Sequence, residues 1–320
     1  PTVTAPLTPT STSPPEPSPV DYGPMLDQID LHLRHTAYRL GYDMGIGFVD
    51  IETGQVLSIN GDARYHAMST FKGPLAAFYL WLLERGEIVE QPADREHLIN
   101  MLEWSANTDT TCIFERVGGI PPFNDWLAEQ GFSRQNNFVL KWRNWPCTDG
   151  GEYYVPELDW RYTRGDPALG LPGDGLLLRC PIPQLPCDKA FAPVELVEWY
   201  ARLYRGEVLN EAHTALLLGW LEEGPDESVF LNNLPEGADV RVYVKGGTAQ
   251  ASETYRVNFF HEAGIVETDH GAFALAIFMQ RNPEWPGTWA MSEVARIVYE
   301  YFIATHPAEG SSGASDGARG

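Results

Sequence analysis

The sequence predicts an α+β protein whose antiparallel sheet is built from both chain ends, flanked by N- and C-terminal helices, with an all-helical lobe inserted between. Three observations predict it. Helical and strand-like hydrophobic periods fall in separate blocks rather than alternating. The links between strand candidates are too short for parallel crossovers. The 320 residues are 43% apolar, enough to bury the core of one large domain or of two packed lobes.

Taken in order, residues 1–22 are dense in Pro, Ser and Thr, cannot form a core, and read as a flexible tether. Such a segment suits the stalk of an exported or lipid-anchored protein whose leader has been removed. Met25 to Leu40 carries apolar residues at helical spacing (Met25, Ile29, Leu31, Leu33, Tyr38) and stops at Gly41. Met44 to Asp50 and Gln55 to Ile59 flank Glu52-Thr53-Gly54 and predict a hairpin. From Ser69 the pattern is helical through Leu83, and it returns from Arg95 to Val117 before Gly118-Gly119. A short helix follows at Pro122 to Gln130, and then a long irregular excursion from Phe132 to Phe191. Pro193 to Arg205 and Glu211 to Glu222 are amphipathic helices. Strands are expected at Val240 to Lys245, Glu253 to His261 and Gly271 to Gln280, with a turn at Asp269-His270-Gly271. Met291 to Ala304 closes the fold as a helix. A domain over 23–306 results, its sheet lobe at 23–68 and 224–306 and its helical lobe at 69–223, with a small, polar, disordered tail over 307–320.

The 44 acidic against 22 basic residues give a formal charge of −22, which repels a phosphate backbone and excludes nucleic acid as the expected partner. No stretch approaches the roughly 20 apolar residues of a membrane span. The four cysteines match no zinc spacing, and no metal or cofactor is expected. Cys112, in an apolar helical stretch, reads as a buried core thiol. Cys147, Cys180 and Cys187 lie in the irregular excursion, where Cys180 with Cys187, or Cys147 with either, are the disulfide options.

Three segments carry chemistry. In Ser69-Thr70-Phe71-Lys72 the spacing of three puts the lysine amine on the serine's helix face. A serine needs a neighbouring base, and a lysine serves once it can be deprotonated. Only four of the 22 basic residues are lysines (Lys72, Lys141, Lys189, Lys245), so lysine is kept where an amine is required. In Ser105-Ala106-Asn107 a second hydroxyl can shuttle a proton while the carboxamide orients a substrate. Lys245-Gly246-Gly247-Thr248 ends a strand with a fixed cation, glycines that admit a ligand, and the hydroxyl and N–H of Thr248. Alone, each has an ordinary structural meaning: a helix start, an N-cap, a widened strand end. Their fixed order makes the argument.

Together they resemble the class A β-lactamases and penicillin-binding proteins, whose pattern is S-x-x-K, then S-D-N or S-x-N, then K-T-G. The resemblance runs from about Met25 to Thr305 and is poorest in the middle loop. It implies a serine hydrolase with Ser69 as acylated nucleophile, Lys72 as its activating partner and Ser105 as proton shuttle. Asn107 then binds substrate, Lys245 and Thr248 hold the substrate carboxylate end, and the backbone N–H groups of Ser69 and Thr248 form the oxyanion hole. The substrate implied is a β-lactam, a cell-wall peptide or a related amide or ester, acted on by an exported monomer. Departures are Ala106 for the usual aspartate, Gly246 for a hydroxyl residue, and a shortened interval from Ser69 to Ser105. In Val155-Pro156-Glu157-Leu158-Asp159, Val155 stands where class A enzymes carry the deacylating glutamate, which leaves Glu152, Glu157 and Asp159 as candidate bases. A true class A-type β-lactamase with a relocated base is the alternative. A non-catalytic module on the same fold is a second, and the retained pair of motif lysines argues against it.

Overall fold

The structure, a computed structural model, describes residues 19–37, 42–132, 147, 190–222, 228–249, 258–281 and 288–308. Residues 1–18 of the expected tether, 309–320 of the tail, most of the middle excursion and the candidate bases Glu152, Glu157 and Asp159 therefore lie outside the described residues, as does the Cys180–Cys187 option. The last residues assigned to the tether pack on the domain: Tyr22 is buried, with its hydroxyl donating to Asp50 Oδ2 at 3.0 Å, and Val20 N–H donates to Gln55 Oε1 at 2.7 Å.

Eight α-helices and seven strands are present among the described residues. Helix α1 (Gly23–His32) runs on as a π-turn over Leu33–Ala37, and the expected hairpin is β1 (Tyr42–Asp50) with β2 (Val56–Ile59). After β3 (Tyr65–His66) come α2 (Lys72–Glu84), α3 (Asp94–Glu103), α4 (Asn107–Arg116) and α5 (Ile120–Glu129). Then β4 (Ala190–Phe191) precedes α6 (Pro193–Tyr204) and α7 (Glu211–Glu222). Strands β5 (Val240–Ala249), β6 (Asn258–Thr268) and β7 (Gly271–Arg281) lead to α8 (Trp289–Thr305).

The main sheet has the order β2-β1-β7-β6-β5, all antiparallel, so the two chain ends meet where β1 pairs with β7. Apolar side chains fill both faces of this sheet. One core layer joins Met25, Ile29, Phe48, Leu275, Met291 and Val298, locking α1 and α8 to one face. The other joins Phe71, Leu75, Phe114, Trp126, Trp199 and Phe278, seating the helical lobe on the opposite face. Helix α6 lies so close to β1 that a Cβ on Gly47 would meet the Pro193 carbonyl oxygen at 2.8 Å, which leaves room for glycine alone. Among the described residues no helix is long and apolar enough to cross a membrane.

Four expectations change. The helical signal from Arg95 to Val117 splits into α3 and α4 because Ser105 adopts a positive φ of 54°, which no helix accommodates. The strand expected at Glu253 to His261, of which 253–257 lie outside the described residues, runs on as β6, Asn258–Thr268; its end falls later than expected because the polar buried pair His261 and Glu262 interrupts the apolar alternation from which a strand is inferred. The pair β3 and β4 is two residues per strand, too short to show periodicity. Cys112 is buried but is not a free thiol: it is bonded to Cys147, with 4.7 Å between the Cα atoms. That pairing removes Cys147 from both options foreseen for it, since periodicity shows which helix face is covered and not which segment covers it.

Candidate active site

Each of the three motifs lands at the junction between the sheet edge and the helical lobe. Ser69 lies in the turn before α2, where Thr70 N–H bonds to Ala67 O and Lys72 N–H to Ser69 O at 3.1 Å each. Met68, just before it, has φ 50°, an uncommon conformation for a long side chain that turns the chain sharply into the helix. Helix α2 begins at Lys72 and is buried nearly all round, so Ser69 sits at the head of the most enclosed helix in the lobe.

Lys72 is fully buried. Its amine donates to Ser105 O at 2.7 Å, to Asn107 Oδ1 at 2.9 Å and to Ser105 Oγ at 3.3 Å. The left-handed Ser105 and the extended Ala106 turn the chain between α3 and α4 so that these three oxygens converge on one nitrogen. Behind them, buried Asp94 accepts from Tyr79 Oη at 2.7 Å and from Arg116 Nε at 3.0 Å, tying α2, α3 and α4 together.

Across the cleft runs β5, the edge strand. Lys245 is buried and donates to Gly246 O at 3.0 Å. Burial lowers its amine to about 8, while the charge of Glu262 pulls the other way. Gly247 packs against the Ser69 turn: a Cβ there would lie 2.6 Å from Ser69 N and 2.8 Å from Met68 Cβ. Glycine at 247 thus brings the strand and the Ser69 backbone together. Gly246 is different, since a Cβ there would meet nothing nearer than His261 O at 3.7 Å. A cleft of about 430 Å³ results, lined by Ser69, Ser105, Asn107, Lys245 and Thr248, with Lys72 bonded immediately behind Ser105.

A family model described as the β-lactamase enzyme family matches residues 30–92 and 95–302. The chain belongs to the β-lactamase enzyme family. That family is one of hydrolases, and solved structures agree on the fold. A mutant of PBP-A, in an acyl-enzyme complex with penicillin G, is 19% identical with a TM-score of 0.62, covering 91% of this chain and 99% of that one. The extended-spectrum β-lactamase TLA-1 is 16% identical with a TM-score of 0.64, covering 88% and 99%. A β-lactamase from Chitinophaga pinensis is 15% identical with a TM-score of 0.63, covering 87% and 99%. Among curated proteins none matches the sequence.

In this β-lactamase-family cleft the sequence motifs account for one side only. The remaining wall is Val229, Val244, Phe260, His261, Glu262, Thr288 and Met291. Glu262 is 6% exposed, lies opposite Gly246 in the β5–β6 ladder, and accepts from Phe230 N–H at 3.2 Å. Burial raises its carboxyl to about 7, against hydrogen bonds from Ser228 and the 229–230 backbone and the charge of Lys245. The sequence signal that could have found it was its pairing with the missing side chain at 246. His261 is buried, and desolvation above all pushes its base down to about 3, so it is neutral near pH 7.

Proposed function

We propose that this chain is a serine hydrolase that forms an acyl-enzyme on Ser69 with a β-lactam, a cell-wall peptide or a related amide or ester. The observation that carries the reading is the triple hydrogen bond of Lys72 to the Ser105 and Asn107 oxygens, at the back of a cleft that Ser69 and Lys245 also line. Once Lys72 has lost a proton and given up one of its three donated hydrogen bonds, the freed lone pair takes the Ser69 proton as the hydroxyl oxygen attacks the carbonyl carbon. Ser105, already in contact with the amine, passes a proton to the departing nitrogen or oxygen. The N–H groups of Ser69 and Thr248 donate to the developing oxyanion, which the contact of Gly247 with the Ser69 turn supports. Asn107 holds the acyl-side amide, and Lys245, largely protonated at pH 7, attracts the substrate carboxylate.

Val155 at the place of the class A glutamate leaves the acyl-enzyme without that base, so deacylation is slow. The Cys112–Cys147 disulfide fits an oxidising compartment and supports export. Intact-mass analysis before, during and after exposure to penicillin G tests the reading. A single adduct that forms on the native chain, persists for many minutes and is missing from Ser69→Ala is the expected result. No adduct on the native chain, or one retained by Ser69→Ala, would overturn it, and rapid loss of the adduct with repeated turnover would show a relocated base.

A further inference from the structure

Away from the cleft, helices α3 and α4 hold a second cluster of reactive groups. A ring nitrogen of His97 and the sulfurs of Cys112 and Cys147 lie within 4.8 Å of one another. His97 Nδ1 is 2.8 Å from Asp109 Oδ1, and Asn100 Nδ2 donates to the same oxygen at 3.3 Å. A carboxylate only accepts, so Nδ1 donates to it, and the nitrogen left for an ion is Nε2. A carboxylate orienting an imidazole in this way is the usual support of a metal-binding histidine. Cys112 is buried and Cys147 half-buried, so the cluster has a protein side and a solvent side.

We propose that His97, Cys112 and Cys147 form a redox-gated site for a soft divalent cation of the zinc type, closed as a disulfide when oxidised and opened to the ion when reduced. Reduction of the S–S bond by a phosphine and one water gives two thiols and the phosphine oxide. Zn²⁺ then displaces both thiol protons into solvent and is held by two thiolates and His97 Nε2, with water in the fourth position. Side-chain rotation must part the sulfurs to the roughly 3.7 Å that tetrahedral zinc requires, and it must draw the imidazole in by a similar amount. Two thiolates and an imidazole select zinc over magnesium or calcium, which prefer oxygen. The site is independent of the chemistry assigned to Ser69.

The test uses the full chain with Cys180→Ser and Cys187→Ser, so that no other thiol competes. This protein is reduced with a phosphine, desalted without oxygen, and titrated with Zn²⁺ against a chromogenic chelator, with circular dichroism recorded alongside. One zinc per reduced chain and none per oxidised chain is expected. Asp109→Asn should weaken zinc binding about tenfold and His97→Gln by more, although both keep the two sulfurs. Co²⁺ in place of zinc should give the visible absorption of a tetrahedral thiolate complex. Reduced protein that competes no better than oxidised protein overturns the proposal, and so does a His97→Gln chain, folded or not, that binds as tightly as its parent.

Discussion

The two lysines that flank the cleft are both buried, yet they are held in opposite ways. Lys72 is fixed by distance, with three oxygens from one short segment within 3.3 Å of its amine. Lys245 has one nearby carbonyl and otherwise answers to charge: desolvation pushes its proton off while Glu262 retains it. A hydrogen-bonded lysine keeps its place in the cleft, whereas a lysine governed by burial and a neighbouring carboxyl changes its charge within an accessible pH range. Position and field are therefore supplied from different walls, one helical and one at the sheet edge.

Substitution of Lys72 should have the largest effect. Lys72→Ala is expected to slow acylation by penicillin about 1,000-fold, the scale of a lost general base, measured as the rate of adduct formation by mass. A loss below tenfold would place the base elsewhere. Lys245→Ala should slow the same step by about 10–100-fold at pH 7, the loss of one charge-assisted contact with an anionic substrate. The native rate should also fall as pH rises through about 8, because the lowered amine is a cation below that pH and neutral above it. Lys245→Ala should lack this limb, and a native profile flat from pH 7 to 9.5 would refute the contrast.

The neighbouring glycines sharpen the comparison further. Gly247→Ala forces a methyl against Ser69 N and should slow acylation about tenfold. Gly246→Ala has room and should change it less than about twofold; equal effects would mean that β5 does not position the Ser69 turn. The smallest effect expected is on stability. Glu262 has a raised carboxyl in the fold, so its contribution is complete below its unfolded value near 4.5 and lost as pH rises through about 7. Glu262→Gln should remove that dependence, reducing the drop in Tm between pH 5 and 7.5 by about 3 °C. Parallel melting curves for the two proteins would argue that Glu262 stays charged.

Much of this was legible in the sequence because the signals are local. Ser69 and Lys72 are three apart, β7 is a continuous apolar run opening at Gly271, and Lys245 ends an apolar strand run. The parts that were not legible depend on what lies opposite. Glu262 and His261 are polar residues buried by neighbours on other strands, so they broke the pattern of the strand they belong to. The conformation of Ser105 is imposed by the chain reversal between two helices, and nothing in Ser-Ala-Asn announces φ 54°. The partner of Cys112 lies 35 residues away, a distance over which spacing carries no geometry.

The seam between β1 and β7 has a consequence for how the molecule is made. Met44 pairs with Met279 and Asp50 with Phe273, whereas β5, β6 and β7 join through neighbours in sequence. A nascent chain therefore leaves β1 with one side unpaired until almost all of the polypeptide has emerged, and closing so long a loop is a slow step. Truncation within β7 would strand a hydrophobic edge on β1, a template for aggregation, without removing any residue of the three motifs.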